Sequence, residues 1–196
     1  MENIPSEGGF ILTANHLSRF DPPLVFLIFP FRKGVAFAAD SYRRHPFFRW
    51  VLESVGVIWV NRGAVSPMTL KAAVQAIREG YFLGIAPEGT RSRTGTLQAG
   101  KTGVAFLALT SGAPILPLGI TNTEKLGSAL LRLRRIPLTL TVGKPYTFTA
   151  PERGKREEKL QECTTEIMCR IAALLPPEYR GMYADYPRVK ELLIED

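Results

Sequence analysis

Short apolar runs alternate with stretches of helical periodicity from one end of the chain to the other, the pattern of an α/β domain. The apolar runs predict strands over residues 10–14, 35–39, 57–60, 82–86, 115–120 and 138–142. A helix is expected to start at Ser66, which can cap it, with Pro67 in the first position, and to stop at Gly80, a residue suited to a left-handed turn. Within it Leu70, Ala73, Val74 and Ile77 share one face and leave Lys71, Gln75 and Arg78 to solvent. The stretch 103–109 is apolar all round, so a helix there belongs between the sheet and another layer. Leu160, Cys163, Ile167, Ile171 and Leu174 repeat at helical spacing, predicting an amphipathic C-terminal helix over 155–175 that Pro176-Pro177 ends. The charge-rich stretch 152–159 reads as a loop leading into it. Past Pro177, Tyr179, Met182, Tyr183, Tyr186 and Leu192-Leu193 leave open whether the tail packs back on the body. With no repeat and no low-complexity linker, the simplest organisation is one domain over 1–196: a mixed, mostly parallel sheet flanked by helices.

Composition narrows the picture. With 45% hydrophobic and 22% charged residues the chain is a folded protein, and two cysteines with two histidines exclude a disulfide framework and a Cys/His zinc cluster. Cys163 and Cys169 are expected to be buried and reduced. The balance of 25 Lys+Arg against 18 Asp+Glu, a net charge of +7, favours a phosphate-bearing partner or an anionic membrane surface. The longest apolar run, 24–29, lies between Pro22-Pro23 and Pro30 and is far short of the ~20 residues that span a bilayer. The opening MENIPSEGGF lacks the pattern of a secretory signal, which makes the cytoplasm the default expectation.

Polar clusters follow three of the strands. After the first comes Asn15-His16-Leu17-Ser18-Arg19-Phe20-Asp21, at a strand's carboxyl end, where open α/β sheets build their sites. A turn between His16 and Asp21 could fold the carboxylate onto the imidazole, fixing one ring nitrogen as N–H and leaving the other as a base near neutral pH. A loop histidine beside a helix-capping Asp21 accounts for the same residues equally well. After the fourth strand comes Pro87-Glu88-Gly89-Thr90-Arg91-Ser92-Arg93, with Lys101 past a glycine-containing loop. Arg91, Arg93 and Lys101 can converge on one phosphate, the guanidiniums as bidentate forks and the ammonium as a point charge. Arg62 closes the third strand in GVIWVNRG. Any one of these cations alone is ordinary for a surface loop.

Together, NHLSRFD, GVIWVNR, PEGTRS and APILPLG resemble, in order and spacing over 15–119, the four motif blocks of the glycerolipid acyltransferases typified by 1-acylglycerol-3-phosphate (lysophosphatidate) acyltransferase. The resemblance implies that His16 is the general base that deprotonates a glycerol hydroxyl and that Asp21 orients and stabilises the imidazolium. The hydroxyl then attacks the thioester of acyl-CoA or acyl carrier protein, with no acyl-enzyme and no cofactor beyond the donor. By the same resemblance Glu88, Gly89, Thr90 and Arg91 bind the acceptor, and Arg62 joins them from the second block. Arg93 and Lys101 are added on charge and proximity. The absence of a G-x-S-x-G elbow disfavours a serine nucleophile, and Ser18 is left at most a supporting hydrogen bond. His45, before a proline, reads as structural or surface-exposed.

The implied partners are a lysophospholipid acceptor, the acyl donor and a membrane surface, with no nucleic acid. In SYRRHPFFRW, Arg43, Arg44 and Arg49 alternate with Phe47, Phe48 and Trp50, a mixture that suits a lipid interface or a set of core aromatics with arginines reaching outward. The run 24–31 is open to a buried or a lipid-facing reading. Many relatives carry a hydrophobic helical segment before the first block, whereas fourteen residues precede Asn15 here, so attachment to the inner face of the cell membrane is expected to be peripheral. The alternatives are an acyltransferase with another lysolipid acceptor and a non-catalytic module that binds anionic lipid or nucleic acid.

Overall fold

The computed structural model describes residues 2–29, 32–54, 56–60, 66–149 and 154–195. Six strands, β1 (Phe10–Ala14), β2 (Gly34–Ala39), β3 (Val57–Val60), β4 (Phe82–Ile85), β5 (Ile115–Thr121) and β6 (Thr139–Val142), form one sheet in the order β3-β2-β4-β1-β5-β6. Each lies within one residue of its predicted bounds. The first five run parallel and β6 returns antiparallel beside β5. Helices cover both faces, so the strands carry apolar side chains on both sides.

Residue parity divides the core. Ile11, Leu83 and Ile115 point into a layer with α3 (Pro67–Arg78), α4 (Gly103–Ser111) and α6 (Arg156–Ala173). Phe10, Leu12, Phe82, Leu116, Leu118 and Ile120 point the other way, against Val25 of α1 (Asp21–Ile28) and Phe29. There the rings of Phe10 and Phe82 stack at 5.6 Å, and Phe29 closes on Phe82 at 5.2 Å.

The local signals act as their chemistry requires. Ser66 Oγ accepts from the Thr69 N–H and Pro67 occupies the first turn of α3, while Gly80 takes a φ of +89° just beyond its end. α4 buries Val104, Ala105, Leu107 and Ala108. α6 is shorter than the 155–175 pattern but begins inside the stretch read as a loop, because Glu157 and Glu158 suit the positive end of its first turn. Cys163 and Cys169 are buried and free, and burial pushes the Cys169 thiol up to about 11. After Pro176-Pro177 the tail packs back through buried Tyr179 and Tyr183 and through Val189 and Leu192 of α7 (Pro187–Glu195). In α2 (Pro46–Ser54), Trp50 is exposed, so the core reading of the aromatics does not hold for that residue. No helix among the described residues is long and apolar enough to cross a membrane.

Candidate active site

Because β4, β1 and β5 are parallel neighbours, the segments that follow them leave the same end of the sheet. Asn15 extends β1 beyond its last residue: Asn15 Oδ1 accepts from the Ile120 N–H and its Nδ2 donates to the Ile120 carbonyl, both at 2.8 Å. That bracket fixes where the chain turns into His16.

The turn brings Asp21 onto His16. Asp21 is 4% exposed, and its Oδ2 accepts from His16 Nδ1 and from the backbone N–H groups of Leu17 and Ser18, each at 2.7 Å. Its Oδ1 accepts from the hydroxyl of buried Thr123 at 2.5 Å. A carboxylate that accepts from this many donors has no proton of its own to give, so Nδ1 carries the proton, and in the neutral imidazole Nε2 then holds the lone pair. The helix-cap alternative is corrected here: Phe20 occupies the cap position, and Asp21 stands in the first turn with its carboxylate turned back to the loop. Pro22 and Pro23 follow, with no N–H left to satisfy. Ser18 Oγ accepts from the Phe20 N–H at 3.3 Å, a turn contact.

The loop after β4 docks on the same turn. Glu88 is 2% exposed, with Oε1 accepting from the His16 N–H and Oε2 from the Gln98 N–H, both at 3.0 Å. Burial pushes this carboxyl above its ordinary value near 4.5, against the pull of those two N–H groups. Glu88, expected from the resemblance to bind the acceptor, is thus buried and joins three stretches of backbone. The Ser92 N–H donates to the His16 carbonyl at 2.7 Å, which sets exposed Arg91 and Arg93 on either side of the residue that touches the histidine. Gly89 has a φ of +67°, and a Cβ there would lie 3.1 Å from Lys101 Nζ, so the ammonium rests over the loop. Among the described residues, Arg91, Arg93 and Lys101 have no carboxylate partner. Arg62 lies outside the described residues.

The sequence reading missed Thr123. Its signal was the rule already applied to β1 and β4: Asn122-Thr123 is the polar pair at the carboxyl end of β5, and Asn122 takes the left-handed conformation with a φ of 65°. A recess of about 440 Å³ opens beside that turn, between Thr94–Thr96 and Tyr179, but neither His16 nor Arg91 lines it.

The arrangement, a buried acid, an imidazole with an available nitrogen and adjacent unpaired cations, can take a proton from a group whose anionic end is held nearby. A family model described as Acyltransferase matches residues 1–121. The chain is 39% identical over 127 residues, 63% of its own length, to a 1-acyl-sn-glycerol-3-phosphate acyltransferase of Borreliella burgdorferi, and covers 50% of that protein. It is 23% identical over 177 residues to one from Bacillus subtilis, with 88% of this chain and 84% of the relative aligned. The chain spans about half the length of several curated relatives it matches. Its fold is similar to the crystal structure of the 1-acyl-sn-glycerophosphate acyltransferase PlsC of Thermotoga maritima, with a TM-score of 0.61, 26% identity, and 85% of this chain and 69% of that one covered.

Proposed function

The chain belongs to the acyltransferase family, and on that premise we propose that it moves a fatty acyl group from a thioester, acyl-CoA or acyl carrier protein, to the free hydroxyl of lysophosphatidate. The observation that carries the reading is the Ser92 N–H on the His16 carbonyl, because one backbone contact joins the turn that carries the imidazole to the loop that carries Arg91 and Arg93.

In the proposed reaction His16 Nε2 takes the hydroxyl proton as the acceptor oxygen attacks the thioester carbonyl. The tetrahedral intermediate then expels the thiolate, which takes the proton back from the imidazolium, giving an ester and a free thiol. Asp21, already bonded to Nδ1, stabilises the imidazolium while it exists. Arg91, Arg93 and Lys101 hold the acceptor's phosphate, and exposed Gly89 and Thr90 form the surface it meets. Glu88 is assigned the work of positioning: it holds the His16 and Gln98 backbones in place and does not touch the acceptor. Lysophosphatidate is an amphiphile, so the reaction is placed at a membrane surface, the inner face of the cell membrane, with the protein held peripherally.

Thiol release from an acyl thioester in the presence of lysophosphatidate tests the proposal. His16→Ala is expected to lower transfer by about 10²–10⁴-fold, and undiminished transfer would remove His16 as the base. Arg91→Ala is expected to raise KM for a phosphate-bearing acceptor and spare a phosphate-free one; equal loss on both would leave it a structural role.

A further inference from the structure

Helix α1 has no polar residue after Asp21, and a helix apolar all round is normally enclosed or in contact with hydrocarbon. Among the described residues, one of its sides is enclosed and another is open: Val25 is buried on the sheet while Leu27 is 73% exposed. Near its start lies α5 (Leu126–Leu131), where a Cβ on Gly127 would be 3.9 Å from the Phe20 ring. α5 is anchored by buried Ala129, and beyond that anchor Leu130 is exposed, Leu131 is 88% exposed and Leu133 is 96% exposed. The Arg134 N–H donates to the Ala129 carbonyl at 2.8 Å, closing a turn in which Leu133 takes a φ of 50°, a left-handed conformation unusual for leucine. The leucines are interleaved with exposed Arg132, Arg134 and Arg135, none with an ion-pair partner among the described residues. From 126 to 151 the sequence has no Asp or Glu.

A soluble polyanion would engage these arginines and leave the leucines in water. An apolar partner would cover the leucines and strand the cations. An anionic bilayer meets both, with acyl chains for the leucines and headgroup phosphates for the guanidiniums. We propose that the tip of α5, residues 130–135, docks on the surface of an anionic lipid bilayer. The inference rests on the reading above that the acceptor is a membrane lipid, and it names the element that brings the site to that lipid. α5 starts three residues after Thr123, which holds Asp21, and is only about 9 Å long at 1.5 Å per residue. Docking its tip therefore sets the His16 turn beside the headgroup layer.

The test is flotation of the full chain with phosphatidylcholine vesicles containing about one-third phosphatidylglycerol, against pure phosphatidylcholine. The protein is expected to float with the anionic vesicles and to release as salt rises. The triple variant R132Q/R134Q/R135Q is expected to lose about 100-fold in apparent affinity, roughly fivefold for each arginine. L131Q/L133Q is expected to lose roughly tenfold or more at any salt concentration. Both variants should melt like the parent and acylate a short-chain, water-soluble phosphate-bearing acceptor at the parent rate. Vesicle binding equal to the parent's in both variants, or no preference of the parent for anionic vesicles, overturns the proposal. So does loss of binding in W50A with none in L131Q/L133Q, or a dimer that L131Q/L133Q takes apart. A parent that floats but acylates no soluble acceptor sinks the reaction and leaves the docking surface standing.

Discussion

Replacing Thr123 with valine removes one hydroxyl and keeps the branched shape. In the parent that hydroxyl donates to Asp21 Oδ1 at 2.5 Å, and both residues are buried. Thr123 is 0% exposed, so water has no route to the oxygen left behind, and the variant bears the cost of a buried charged acceptor without its partner. Hydrogen bonds to charged groups contribute about 1.5–3 kcal/mol. At about 2–4 °C per kcal/mol for a chain of this size, T123V is expected to melt about 3–12 °C below the parent. Catalysis should suffer less, because the three donors on Oδ2, His16 Nδ1 among them, remain. The expected pattern is a lower kcat with an unchanged acceptor KM, and recovery of both stability and kcat in T123S. Thermal unfolding and thiol-release kinetics on the three proteins decide it. A T123V as stable as the parent, or a T123S no better than T123V, would refute the reasoning.

Two further outcomes follow from the loop after β4. Burial raises the Glu88 carboxyl above its ordinary value near 4.5, so the folded state holds that proton more tightly than the unfolded chain, and the group's contribution is full below that value and lost as pH rises through the raised one. Glu88→Gln removes this dependence, so the stability difference between parent and variant should shift in the variant's favour as pH rises from the acid range toward neutrality; a shift in the parent's favour in urea titrations across that range would reverse the assignment. Gly89→Ala forces an L residue into the left-handed region, about 1–2 kcal/mol, and displaces the Lys101 ammonium, so melting should fall by about 2–8 °C and KM for a phosphate-bearing acceptor should rise. If the lysine carries the KM effect, the change should be absent in a Lys101→Ala background, and additive effects would disprove the link.

The elements were legible because period and punctuation agree: each strand is an apolar run between turn residues, and α3 has its cap, proline and terminal glycine in the expected places. The His16–Asp21 pair was legible as a possibility, since five residues of turn are enough to bring them together, but a capping aspartate has the same spelling. The contact itself decides between them: Asp21 Oδ2 lies 2.7 Å from His16 Nδ1 while Phe20 takes the cap position, and Thr123 at the end of β5 holds the second oxygen. The burial of Glu88, assigned by resemblance to acceptor binding, was not legible for a related reason. A carboxylate inside a polar motif reads as surface, and its burial depends on two backbone N–H groups, at His16 and Gln98, that no local pattern can bring together. The run 24–31 resisted a choice between buried and exposed because α1 is both, with Val25 inside and Leu27 outside.

The residues that set the site extend past the span matched by the family model, which ends at 121. Tyr179 binds the two loops that flank the dyad: its carbonyl accepts from the Leu97 N–H at 2.9 Å, its hydroxyl donates to Glu124 at 2.9 Å, and the same oxygen accepts from the Asn122 N–H at 3.3 Å. Tyr183 adds a second clamp, its hydroxyl accepting from the Gly100 N–H at 3.3 Å. One loop carries Arg91 and Arg93, and the other carries Thr123 and through it Asp21. The tail therefore ties the loop that carries the cations proposed to hold the acceptor's phosphate to the loop that carries Thr123 and, through it, the proposed base. A displacement of about 1 Å between such groups can cost 10²-fold in rate. The aromatic residues after Pro177 are thereby placed among the residues that fix the geometry of the candidate site.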